Sequence, residues 1–138
     1  MAKEKEEGKS RREILLELQF LDSQIKQAEQ QMSQAEEQIF EVNILIDSLC
    51  ELKTAKRGQE ILVPVANGIF IKAKIEDKDL LKVNVGGGVV VEKTIDGTIE
   101  MLRAQVKNIE KYKDETFAQL SGLVAQASSL QSEIVGED

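Results

Sequence analysis

The stretch "LLKVNVGGGVVVEKT", Leu80 to Thr94, sets three consecutive glycines between two β-branched runs. Such a loop after a strand could cradle a phosphate or could only turn the chain. A phosphate cradle needs its glycines to open a helix, as in GxGxxG, or to carry the lysine and hydroxyl of GxxxxGK[ST]. Here Gly86, Gly87 and Gly88 lead into Val89, Val90 and Val91, which is another strand. The glycines are read as turn residues and the segment as a β-hairpin.

Outward from this hairpin the same chemistry repeats. "EILVPV" (Glu60 to Val65) and "IFIKAKI" (Ile69 to Ile75) have strand composition. Asn67-Gly68 between them supplies residues that tolerate positive φ, so both are expected to support a tight turn. Glu76 to Asp79 is a polar link, and Pro64, lacking an N–H, belongs on an edge or at a ladder position facing no partner. Residues 57–94 therefore hold two hairpins.

Hairpins alone are marginal in water, and these carry apolar groups on both faces, with Ile69, Ile71 and Ile75 on one and Phe70 on the other. Leu62, Val63 and Val65 add to the first hairpin, and Val83, Val85, Val89, Val90 and Val91 to the second. Covering about ten such side chains contributes roughly 15 to 30 kcal/mol gross, an upper bound because the unfolded chain hides some already. The cover must come from other subunits, which makes these the expected oligomerisation residues. Open strand edges would otherwise invite aggregation, so a closed β body shared between chains is expected.

The flanks are helical. From Ile14 apolar residues return in 4-3 alternation through Leu18, Leu21, Ile25, Ala28, Met32, Ala35, Ile39, Val42, Ile46 and Leu49. No proline or glycine interrupts Ser10 to Lys56, so a helix over 11–56, about 70 Å at 1.5 Å per residue, is expected. A second helix over 95–135 repeats the pattern from Ile95 through Ile99, Leu102, Val106 and Ile109, passes Lys113 and Thr116, and resumes at Leu120, Leu123, Ala127, Leu130 and Ile134. Pairing position n with 148 minus n sets each a against a d, as an antiparallel coiled coil requires. That register puts Ala28, Met32 and Ala35 opposite Leu120, Thr116 and Lys113, a layer expected to be weak. With Gly122 and nearby serines further out, a firm base and a more mobile distal half follow. Around Ile44, Leu45 and Leu52 the apolar face broadens, as it should where helices dock onto a sheet. Charged or polar tails at 1–10 and 136–138 complete an α+β chain.

Composition narrows the function. The 138 residues are one domain's worth, with 4% aromatics, one proline and a formal charge of -7 that lacks the basic footprint of nucleic-acid or anionic-lipid binding. Met1 to Arg12 is charged throughout, with no apolar signal core, and no run is long enough to cross a bilayer, so no membrane association and a cytoplasmic address are expected. The single cysteine, Cys50, allows no internal disulfide and reads as a small packing group beside Leu49. With no histidine, no clustered metal ligands and carboxylates set by heptad spacing, neither an enzyme nor a cofactor or metal site is expected. Asp22, Glu29, Glu36 and Gln38 read as solvated faces, and Lys113 as a snorkelling side chain rather than a register device.

Helix, "LVPV" at Leu62 to Val65, "FIKAKI" at Phe70 to Ile75, "VGGGVVVEKT" at Val85 to Thr94 and returning helix together resemble prefoldin, in its archaeal-type α class with two hairpins. The resemblance covers nearly the whole chain. It implies an ATP-independent chaperone built as a hexamer of two α and four β-type subunits, whose hairpins form a β-barrel platform. It further implies that coiled-coil tips hold non-native client proteins and hand them to a group II chaperonin.

The residues offer their own candidates for client contact. Leu15, Leu16 and Phe20 occupy e, f and c positions near the far end of the first helix, and Val124 and Val135 lie off the seam of the second. None has an intramolecular reason to be buried, and several arms acting together would raise weak affinities. The rival reading is a structural coiled-coil protein or filament-forming prefoldin relative, since the same hairpins could stack into an open array.

Overall fold

Four short strands stand between two helices. In the computed structural model, which describes residues 10–136, the elements are α1 (Arg11–Leu52), β1 (Glu60–Ala66), β2 (Ile69–Lys74), β3 (Leu81–Gly86), β4 (Val89–Lys93) and α2 (Ile95–Gly136). The charged start expected as a tail falls outside the described residues except for Ser10, as do residues 137–138 of the expected C-terminal tail. Gly136 closes α2 instead of belonging to that tail.

Both helices begin on a hydroxyl cap. Glu13 N donates to Ser10 Oγ at 3.2 Å, and Gly97 N donates to Thr94 Oγ1 at 3.0 Å, each satisfying one of the N–H groups a first turn leaves open. Glu13 and Asp96 add negative charge where the helix dipole favours it. α1 ends at Leu52 rather than at the expected Lys56, because its last carbonyls find other donors. Thr54 N and Oγ1 both donate to Glu51 O, at 3.0 and 2.7 Å, and Lys78 Nζ, from the polar link, donates to Lys53 O at 3.0 Å. Gly58 then turns the chain at φ +84° and donates its N–H to Ile75 O at 2.7 Å.

The hairpins form two separate two-stranded antiparallel sheets, β1-β2 and β3-β4. In the first, Glu60 faces Lys74 and Pro64 faces Phe70, then the register shifts so that Ala66 faces Ile69. The shift carries Val65 as an extra residue, a bulge beside the turn. Of the turn pair only Gly68 has positive φ, at +76°, so the tolerance that Asn67 offers is not used. The bulge supplies twist that two left-handed turn residues would otherwise provide. In the second hairpin Gly86, Gly87 and Gly88 all have positive φ, at +109°, +61° and +77°. Gly86 sits at the register shift with its N–H held by Asn84 Oδ1 at 2.9 Å. Three glycines are needed because a bulge and a two-residue turn follow one another.

The described chain divides into two compact units. One comprises Ile39–Asn108. Its core joins Val42 and Ile46 of α1 to Ile95, Ile99, Leu102 and Val106 of α2, with Leu49, Leu52, Leu81 and Met101 packed against it. Val42 with Val106, Ile46 with Leu102, and Leu49 with Ile99 are the partners that the 148-minus-n register pairs. Lys53 and Asp96 form an ion pair across the start of α2. Leu81 brings the start of β3 against this helical core, whereas Ile44 and Leu45 stay exposed. Of the broad apolar face expected there, Leu52 packs against the helical core, whereas Ile44 and Leu45 lie on the outer face of α1.

The other unit comprises, among the described residues, 10–38 and 109–136. Among its described residues Ile14, Leu21, Ala28 and Ala35 are buried, seven residues apart. Along α2 the seam residues from Leu120 to Ile134 are only half-buried, and Thr116, at 3% exposure, is the buried exception. Its hydroxyl donates to Tyr112 O at 2.9 Å, so no polar group is stranded in the seam. Lys113 Nζ lies 3.1 Å from Glu36 Oε1, giving it a specific partner on α1 where free snorkelling was expected.

Candidate functional site

Among the described residues, the hairpins are left largely uncovered. Leu62, Val65, Ile69, Phe70, Ile71, Val85, Val89 and Val90 are exposed, and Val63, Val83 and Val91 are half-buried. Only Ile75, where β2 runs into the link, is buried. Since each sheet has just two strands, every strand also keeps one edge with unpaired N–H and C=O groups. Apolar faces and open edges together make a surface suited to pairing with another chain.

The helix candidates are exposed too. Phe20 is 63% exposed and Val135 74%, and Leu15, Leu16 and Val124 are each about half exposed or more. Leu16 and Phe20, four residues apart, share one face of α1. Leu15 faces elsewhere. It lines an open groove between the helices with Leu18, Asp22 and Ile25 of α1 and Ala127 and Gln131 of α2. Val135 lies beside that groove with Ser128, Gln131 and Ser132.

Three aromatic side chains escaped the sequence reading: Phe40, 67% exposed, Tyr112 and Phe117. Phe40 and Phe117 each directly follow a seam position, Ile39 and Thr116. In a chain so poor in aromatics, a phenylalanine one step off the heptad was the available signal. Cys50 is exposed and not the packing group expected, because it too lies one step past the seam residue Leu49. Among the described residues no group of three or more His, Cys, Asp or Glu is placed to hold a metal ion, and no helix is long and apolar enough to cross a membrane.

Known proteins share this arrangement. The family model described as prefoldin subunit matches residues 21–135. A prefoldin subunit alpha of Thermofilum pendens is 26% identical over 127 residues, covering 92% of this chain and 98% of the relative. One from Methanobrevibacter smithii is 31% identical over 120 residues, covering 85% and 82%. Among solved structures, a filamentous PFD from Methanocaldococcus jannaschii superposes with a TM-score of 0.76 over 84% of this chain and 96% of that one, at 21% identity. With two long helices, two hairpins between them and α-subunit relatives matched over most of their length, the chain belongs to the prefoldin family as an archaeal-type α subunit, a chaperone subunit and not an enzyme.

Proposed function

We propose that the chain is the α subunit of an ATP-independent holdase. In this reading its hairpins join those of β-type subunits in a hexamer of two α and four β chains. Its helix ends hold non-native proteins and pass them to a group II chaperonin, in the cytoplasm. The observation that carries client binding is the exposure of Leu15, Leu16, Phe20, Val124 and Val135 on the helix segments furthest along the chain from the hairpins. Apolar groups spread over several arms bind unfolded segments weakly and reversibly, and their combined engagement raises the affinity without any single deep pocket.

The test is co-expression with a β-type subunit, then mass measurement and an aggregation assay. Replacing Leu15, Leu16 and Phe20 together by serine should leave the six-chain particle intact and weaken suppression of a model client's aggregation. Unchanged suppression by that variant particle would remove these residues from client contact. A second reading is an open array of stacked hairpins, supported by the filamentous state of the Methanocaldococcus jannaschii neighbour. A long heterogeneous polymer in the same mass measurement would favour it over the hexamer.

A further inference from the structure

From Thr116 to Ser132 α2 carries no charged side chain at all. Most of this stretch is nevertheless exposed, and a solvated helix face is ordinarily rich in charge. The exposed residues are also ordered. Phe117, Ser121, Val124, Ser128, Gln131 and Val135 repeat the 4-3 spacing of the seam, displaced by one residue, and all six are exposed, Phe117 at 57%. This is a second heptad stripe beside the one that holds α1. Large and small side chains alternate along it, leaving recesses at Ser121 and Ser128 into which knobs of a third helix could fit. The stripe is continuous with the open groove, because Gln131 lines both.

Resting on the client-binding reading above, we infer that this flank takes a non-native client segment as an amphipathic helix, not as an extended strand. Backbone chemistry decides the conformation. Two helices present side chains only, with no free strand edge, so an extended segment laid against them would find no partners for its N–H and C=O groups as water left. A helix satisfies its own backbone and offers apolar side chains at the 4-3 spacing of the stripe. Charge decides the flank. On the groove side of α1, Leu15, Gln19 and Asp22 stand in the wall, and Glu29 and Glu36 continue the seven-residue row of Leu15 and Asp22, so the charged members of that row are all acidic. Asp22 and Glu36 each already meet one lysine, Lys26 at 3.2 Å and Lys113 at 3.1 Å. Glu29 is exposed between them. The preferred segment therefore carries lysine or arginine along the edge that meets α1, and an acidic one is disfavoured.

The experiment uses the assembled particle and three fluorescent peptides of roughly 18 residues, five helical turns. The first has leucines at 4-3 spacing with lysines along one edge. The second has the same composition with leucines at alternate positions, and the third replaces lysine by glutamate. Anisotropy should show the first bound about tenfold more tightly than either other, with its helicity rising on binding. Val124→Asn, which removes an apolar contact, or Ser128→Gln, which fills a recess, each at an exposed site, should remove most of the preference for the first peptide over the second, and Glu29→Gln should flatten its salt dependence, while Glu37→Gln on the outer face changes nothing. Equal affinity for the first two peptides, with aggregation still suppressed, would overturn the helical preference and leave client capture standing. A retained peptide preference in a particle that suppresses no aggregation would sink the chaperone reading and not this surface.

Discussion

Gly87, Gly97 and Gly122 place the same residue in three different physical situations, and alanine should have three different effects. Gly87 has φ +61° with open space for 4 Å around the point where a Cβ would stand, so the cost of Gly87→Ala is backbone strain alone, about 1–2 kcal/mol. At Gly97 the added carbon would meet the capping oxygen Thr94 Oγ1 at 3.0 Å, so the helix preference gained is offset by pressure on the cap. Gly122 lies inside α2 with open space around it, so Gly122→Ala should stabilise by about 1 kcal/mol. Denaturant titrations of the three variants should rank them in that order, from least to most stable. Sequence alone made Gly86 to Gly88 legible as a turn because no helix follows them. It made the turn at Asn67-Gly68 legible and left its type open, since an Asn-Gly pair tolerates two left-handed residues but does not demand them, and the bulge at Val65 removed the need. Cys50 was misread for a different reason: one residue rotates a helix by about 100°, enough to carry a side chain from seam to solvent.

At the scale of the element, the heptad was readable along both helices because burial in a two-helix seam follows spacing closely. The end of α1 was not, since it is fixed by Lys78 and Thr54, contacts that no periodicity encodes. What the buried residues add is a gradient along α2. Ile95, Ile99, Leu102 and Val106 are buried in one unit, whereas in the other the seam from Leu120 onward is half-exposed and the one buried residue is a threonine. Less apolar area removed from water per turn means easier local opening. Amide hydrogen exchange should therefore be slowest from Ile95 to Val106 and at least about tenfold faster from Leu120 to Ile134, a gap of about 1.4 kcal/mol. Uniform protection along α2 would contradict the gradient. Lys113 bears on the same stretch. Its pair with Glu36 is partly exposed on both sides and worth at most about 1 kcal/mol, so Lys113→Met should cost little.

For the whole molecule, the decisive feature is that the segment with the strongest strand chemistry is the segment with the least cover. Leu62, Phe70, Val89 and Val90 stay exposed although each costs about 1.5–3 kcal/mol to leave in water when it could be buried. On the proposed assembly, these groups on four open-edged strands are covered by other chains, whereas the helical core in residues 39–108 closes within one chain. Assembly and chain folding should thus respond to different substitutions. If the hairpins are the proposed inter-subunit surface, Phe70→Ser with Val90→Ser removes roughly 3–6 kcal/mol of burial per subunit from it while touching nothing in the helical core. The variant should keep its helical circular dichroism and yet fail to form mixed particles at micromolar concentration in native mass measurement. Ile99→Ser, at a buried core position, should instead lower helicity and assembly together. If the hairpin variant still assembled with unchanged stoichiometry, the contacts that join the subunits would have to lie on the helices, and the exposed outer face at Phe40, Ile44 and Leu45 would be the place to substitute next.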